Sequence, residues 1–351
     1  MRSANSKADS RSGIGVNPKA SRRGFLKHSS GTAIVAAAAI ASQAQADPGS
    51  NSNAEATEAK GARLSPPKFR YCLNTSTING SKVPIREQFQ IASKAGYDSV
   101  ELWLRDIRRF TDEGGTLVDL RKELQDLGLG VDSAIAFGEW IVDDDARRKA
   151  GLEQCRKDME VLAAIGGTRI AAPPKGAARG VEPRSLNLDD VGKRYRDLLE
   201  VGKQTGILPQ VELWGFAANL STLPEILYVA AAADHPDACV LLDVYHMYKG
   251  GSDFNNVGLI PGSKMHCLHM NDYPADLPRA TIGDADRVYP GDGVAPMNRI
   301  LQSLVRGGFE GTLSLELFNR SYWEQEPLLV AKTGIEKMRA CVDRAFSQPK
   351  S

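Results

Sequence analysis

Eight short apolar runs recur along the chain, at 69–74, 98–103, 130–136, 168–172, 208–213, 238–243, 265–270 and 312–317. Between them lie stretches whose apolar residues repeat with helical spacing, at 84–95, 116–127, 145–165, 188–205, 222–233, 296–306 and 326–346. The segment 250–262 is a poorer helix candidate, rich in Gly and Asn. Strand followed by helix, eight times over residues 68–347, predicts an α/β chain closed into a single (β/α)8 barrel. Gly96, Gly128, Gly166, Gly206 and Gly308 fall just after helical stretches, where a left-handed cap is wanted. The competing architecture is a doubly wound open sheet. It would carry a glycine-rich turn after its first strand, and Asn74–Gly80 (NTSTING) does not have that pattern.

Charge separates the two ends of the chain. Residues 1–46 hold seven Lys or Arg and one acid, leaving 37 basic and 42 acidic residues, a net charge of −5, for the remainder. An acidic body without a Lys/Arg cluster argues against nucleic acid as a partner. Within the basic end, Ser21–Lys27 (SRRGFLK) precedes a weakly apolar run, Gly31–Ala41, and the small-x-small triplet Ala44–Ala46. This order resembles a twin-arginine signal peptide over 1–46, which implies the twin-arginine export machinery as a partner and a periplasmic or extracellular destination. The apolar run is too short and alanine-rich to anchor in a bilayer, so no stable membrane span is expected. Residues 47–67 have the composition of a disordered linker. Cys72, Cys155, Cys239, Cys267 and Cys341 show no CxxC spacing, and an odd count does not suggest a disulfide framework. They read as small buried hydrophobes.

Several strand candidates end in residues that a barrel core would reject. Glu212 ends the fifth, Asp243 the sixth, His269 stands near the end of the seventh and Glu316 near the end of the eighth. In a barrel of this kind the carboxyl ends of the strands ring one mouth, where chemistry sits. A single strand-end carboxylate is commonly a salt-bridge partner, and a lone His commonly a satisfied core residue. Four on adjacent strands are a different matter, because buried carboxylates must be paired or bound to a cation. Three carboxylates and one imidazole suit a divalent metal ion: Mn2+, Co2+, Mg2+ or Zn2+. His246, past the end of the sixth strand, is expected to hydrogen-bond a substrate oxygen, and Glu101, ending the second strand, is a weaker candidate for a hydroxyl contact.

These residues carry a resemblance. Glu212, Asp243 with His246, His269 and Glu316 look like the metal-site pattern of the xylose isomerase-like TIM barrel superfamily of sugar isomerases and epimerases. The stretches His269–Asp272 (HMND), Ile282–Gly293 (IGDADRVYPGDG) and Gly311–Phe318 (GTLSLELF) are similar to those of inosose (2-keto-myo-inositol) isomerases, as are Cys72–Thr75 and Ala95–Glu101. The resemblance spans 69–346. It implies a metal-dependent isomerase or epimerase acting on a small polyhydroxy ketone. Glu212 and Glu316 would move protons through an enediolate, Asp243 and His269 would mainly hold the metal, and Arg287 and His246 would orient substrate oxygens. The loops after Glu212 (Trp214–Ala218) and after Asp243 (Tyr245 and Met247–Lys249) are not matched to the pattern, and the export signal departs from it. A lyase or dehydratase could use the same enediolate. An abasic-site endonuclease shares the barrel but needs extra His ligands and a basic groove, and a sugar-binding module would not need acids on both sides of a metal. The sequence leaves a homo-oligomer open. Arg22 and Arg23 generate a direct test: replacing both by Lys should leave uncleaved precursor in the cytoplasm on fractionation, whereas normal cleavage after Ala46 would remove the export reading.

Overall fold

The computed structural model describes residues 68–177 and 186–347; the expected signal peptide and linker lie outside them. Eight parallel strands are present: β1 (Arg70–Asn74), β2 (Ser99–Trp103), β3 (Gly130–Ile135), β4 (Arg169–Ala172), β5 (Leu208–Glu212), β6 (Val240–Asp243), β7 (Met265–Met270) and β8 (Thr312–Leu315). Their spatial order is β3-β2-β1-β8-β7-β6-β5-β4. A parallel bridge between Val131 and Gly167 joins the two outer members and closes the ring. The fold is therefore the expected TIM barrel.

Helices fill the connections because the sequence caps them. Thr116, Asp144 and Asn187 each accept a hydrogen bond from a first-turn N–H of the helix they precede. The five glycines expected to end helices all take positive φ, as at Gly96 (88°) and Gly206 (75°). All five cysteines are free and buried, and no helix among the described residues is long and apolar enough to cross a membrane.

The segment 250–262 departs from expectation. The helix lies earlier, at Val244–Gly250, and Phe254–Leu259 forms a 3-10 turn. The cause is local. Asp243 Oδ1 accepts from the His246 N–H at 2.7 Å, so a helix starts directly at the strand end, and Gly251 (φ 83°) stops it. Short helices at Leu104–Asp112 and Arg320–Trp323 follow β2 and β8 in a similar position.

Strand register sets the height of each inward side chain. Asn74 pairs with Glu101, Asp243 with His269, and His269 with Ser314. At the amino ends of the strands, Asp132 accepts from the Ser99 and Thr312 hydroxyls, both at 2.7 Å, with Arg70 and Arg169 within 3.6 Å. That buried polar cluster plugs the barrel floor and leaves the chemistry to the opposite mouth.

Candidate metal centre at the carboxyl ends of the strands

Glu212, Asp243, His269 and Glu316 converge as the sequence led us to expect. His269 is wholly buried, and its Nδ1 stands 3.2 Å from Glu316 Oε2, 3.8 Å from Asp243 Oδ2 and 3.9 Å from Glu212 Oε1. None of these approaches is aligned as a hydrogen bond, so Nδ1 is a buried nitrogen without a partner among the described residues. Its other nitrogen is engaged: Nε2 lies 3.0–3.1 Å from both oxygens of Glu101. A carboxylate can only accept, so Nε2 carries a proton; whenever the ring is neutral, its Nδ1 lone pair faces three carboxylates. This is the arrangement of a metal-ligating histidine oriented from behind by an acid. The orphaned nitrogen and the oxygen donors fit a divalent cation.

Glu101 thus differs from its expected role. It is fully buried, held by Asn74 Nδ2 (2.9 Å), Ser314 Oγ (2.7 Å) and His269, and does not line the cavity. Its carboxylate faces His269, Asn74 and Ser314 rather than the cavity where a substrate hydroxyl was expected. The reason is register, which places it beside Asn74 on β1, below the mouth.

Arg287 is the surprise in the opposite direction. Its guanidinium is 1% exposed and donates from Nη1 to Asp243 Oδ2 (2.9 Å) and Glu316 Oε2 (2.8 Å). Nη2 reaches Asp284 Oδ1 (2.8 Å) and His246 Nε2 (3.1 Å). Arginine has no acceptor, so His246 Nε2 accepts and its proton sits on Nδ1. That N–H, and Arg287 Nε, have no partner among the described residues. Both side chains line the cavity. Burial, reinforced by Arg287, holds His246 neutral, well below the usual histidine range.

Two asparagines were missed by sequence reasoning. Asn74 donates to Glu101 Oε2 and Glu316 Oε1 while accepting from Trp103 Nε1 and Ser76 N–H. Asn271 donates to Asp243 Oδ2 (2.8 Å) and accepts from Tyr245 N–H (2.8 Å). Both stand at or just past strand ends beside the ligands, and that position was the available signal. Asp272, in the HMND stretch, accepts from the N–H groups of Tyr273, Gly291 and Ala295, pinning the loop that carries Arg287.

Charge governs protonation here. Burial pushes the Glu212 carboxyl up to about 8, against the pull of His269. Burial likewise raises Asp243 to about 6, against Arg287. Burial disfavours charge on Glu316 too, but His269 and Arg287 on either side hold it below the usual carboxylate range. Burial works against an imidazolium, yet Glu101 and Glu316 keep His269 protonated well above its ordinary value. In the metal-free protein, protons therefore occupy positions a cation would claim. Glu101, Cys267 and His269 also lie close enough to share an ion. Burial raises the Cys267 thiol far above its ordinary value, however, and Glu101 is already fully used.

Glu212, His246, Arg287 and Glu316 open onto a cavity of about 330 Å³, whereas Asp243 and His269 lie beneath it. Comparison with known proteins gives this arrangement its context. The model of the family described as xylose isomerase-like TIM barrel matches residues 89–341. The chain belongs to that family. It is 23% identical over 283 residues to an inosose isomerase of Halalkalibacterium halodurans, covering 80% of this chain and 98% of that one. It is 24% identical over 253 residues to a 3-dehydroshikimate dehydratase of Pseudomonas putida, covering 71% of this chain but 38% of the relative. Among solved structures, a crystal structure of IOLI protein with a binding zinc atom superposes with a TM-score of 0.73 at 20% identity, over 80% of this chain and all of that one.

For this member of the xylose isomerase-like family, the protonation pattern gives a quantitative expectation. Ligands must shed protons to bind metal. With Glu212 raised to about 8 and His269 above its usual range, binding at pH 7 should expel about two protons, and affinity should rise as pH climbs through 8. Titration calorimetry in buffers of different ionisation enthalpy reads this number; no proton release would contradict it. Glu101→Gln should weaken metal affinity by about ten- to a hundredfold, the usual worth of a residue that orients a ligand.

Proposed function

We propose that the chain is a divalent-metal-dependent isomerase or epimerase of a small polyhydroxy ketone. The observation that carries this reading is the division of labour among the four converging residues. Glu212 and Glu316 line the cavity, while Asp243 and His269 do not. Strand order puts β6 and β7, which bear the two buried residues, between β5 and β8, which bear the two cavity-facing acids. A carbon held above the centre is thus flanked by a carboxyl group on each side. When bound, a divalent cation supplies a Lewis acid that polarises a carbonyl and steadies negative charge beside it.

The chain's own residues do the rest. One glutamate takes the proton from the carbon next to the carbonyl, giving an enediolate, and the other returns a proton to the opposite face or the adjacent carbon. Asn74 and Arg287 fix the two oxygens of Glu316, whereas no described donor hydrogen-bonds the Glu212 carboxylate. Glu316 is therefore the more rigidly aimed of the pair. The unpartnered Nδ1–H of His246 and Nε of Arg287 supply hydrogen bonds to substrate oxygens. The ion we assign is Mn2+, Co2+, Mg2+ or Zn2+; zinc is the ion named for the similar IOLI protein. Export by the twin-arginine route to the periplasm or beyond is part of the same proposal and rests on Arg22, Arg23 and the segment after them.

A second reading is favoured by the match to a 3-dehydroshikimate dehydratase. A lyase would begin with the same proton removal and then expel a β-leaving group.

Incubation with keto-inositols, ketohexoses and 3-keto-glycosides in D2O, followed by NMR, tests the proposal. Deuterium should enter the carbon next to the carbonyl. Glu212→Gln and Glu316→Gln, kept metal-loaded by excess ion, should each lose turnover by roughly a hundredfold or more, since an amide is neither acid nor base. Conversion without solvent deuterium would mean hydride shift and would reduce both acids to ligands. Exchange accompanied by loss of water or an alcohol would replace isomerase by lyase.

A further inference from the structure

The cavity above the metal centre has two unlike walls. His246, Asp284 and Arg287, beyond β6 and β7, make a polar one. The other is built from Trp103, Phe137, Trp214, Phe216, Phe318 and Trp323. Its rings form a row. Phe318 meets Trp103 edge-on at 6.0 Å, Trp103 meets Phe137 at 5.5 Å, Phe137 meets Trp214 at 6.1 Å and Trp214 meets Phe216 at 5.1 Å. Phe216 ends the row against the His246 ring, at 5.5 Å.

Two of this wall's three indole N–H groups are already used, which leaves the Trp214 N–H and, at its rim, the exposed Arg320 as donors. The Trp103 indole N–H is spent on Asn74 Oδ1 and that of Trp323 on the Ser76 carbonyl. Two nearby cations are engaged with the rings themselves, the Arg105 guanidinium 4.2 Å over Trp103 and the Lys175 ammonium 6.0 Å over Phe137. A second sugar ring laid on these faces would lose water from its hydroxyls with only the Trp214 N–H and Arg320 to replace it, and every group left unbonded costs free energy. An apolar ring would gain about 25 cal/mol per Å² buried, together with the offset or edge-on contacts that aromatic pairs favour. Space permits it: about 330 Å³ falls in the range of roughly 300–1,000 Å³ that holds drug-sized ligands.

We propose that the row Trp103–Phe137–Trp214–Phe216 is a subsite for a flat aromatic ring that the substrate carries beside its metal-chelating hydroxyketone. The proposal rests on the metal-centred reading of the site and narrows its substrate class from a bare polyhydroxy ketone to one bearing an aryl group.

Two probes separate head from ring: hydroxyacetone, which has the chelating group and a methyl, and 2-hydroxyacetophenone, which has the same group and a phenyl. Calorimetry on the full-length, Mn2+-loaded protein should show the phenyl probe binding at least tenfold tighter. Phe137→Ala and Trp214→Ala should each cut the phenyl-to-methyl affinity ratio at least threefold. Phe137 is 39% exposed, so its truncation leaves the core intact. Equal affinity for the two probes, or a ratio unchanged in both variants, overturns the subsite and leaves the metal reading standing. Failure of the loaded protein to bind either probe overturns the hydroxyketone substrate class and the subsite together.

Discussion

Four carboxylates, Glu101, Glu212, Asp243 and Glu316, are buried at one end of the barrel, with Arg287 as the fully buried guanidinium among them. Moving an isolated carboxylate out of water carries an effective penalty of several kcal/mol, so such a cluster persists only if positive charge or protons enter with it. The His269 imidazole is where that balance is decided. Glu101 holds its Nε2, and the remaining nitrogen faces Glu212, Asp243 and Glu316. Without metal the ring is driven to the protonated state and Glu212 retains its proton. With metal, one ion can replace both. Much of the surrounding structure serves this exchange: Asn74 and Asn271 fix the carboxylate orientations, and Asp272 pins the loop that delivers Arg287.

The same constraint divides the mouth of the barrel. Strands β5 to β8 spend their ends on ligands. Strands β2 and β3 are free of that duty and end in Trp103 and Ile135, continuing into Phe137. Trp103 belongs to both halves, because its indole N–H supports Asn74 while its ring packs on Phe137 and Phe318. A polar reaction centre beside a carbon wall favours a substrate with two chemically different ends. It also lowers the local dielectric, so that hydrogen bonds and charges aimed at the reacting carbon act more strongly than in water.

The barrel was legible in the sequence because strand and helix differ in period, and eight repeats of the alternation leave few alternatives. The convergence of Glu212, Asp243, His269 and Glu316 was legible because an acid or histidine at a strand end violates the expectation of a core, and four such violations fell on consecutive strands. What escaped was set by register and by capping. Nothing in Ser99–Trp103 alone says that Glu101 sits below the mouth; the pairing of Asn74 with Glu101 does. The helix at Val244–Gly250 was hidden because its cap, Asp243, is also the end of a strand, and a period of 3.6 cannot be recognised in seven residues. Arg287 could be singled out from its motif, but its ion pairs with Asp243 and Glu316 depend on a loop fold that local sequence does not encode.

In the proposed holoenzyme, His269 binds the ion through Nδ1 while Glu101 keeps Nε2. Anomalous diffraction at the manganese edge, from crystals of the loaded protein, locates the ion. One peak is expected about 2.0–2.3 Å from His269 Nδ1 and from oxygens of Glu212, Asp243 and Glu316, with Glu101 still hydrogen-bonded behind the ring. A peak bound through Nε2, or seated between Glu101 and Cys267, would contradict it.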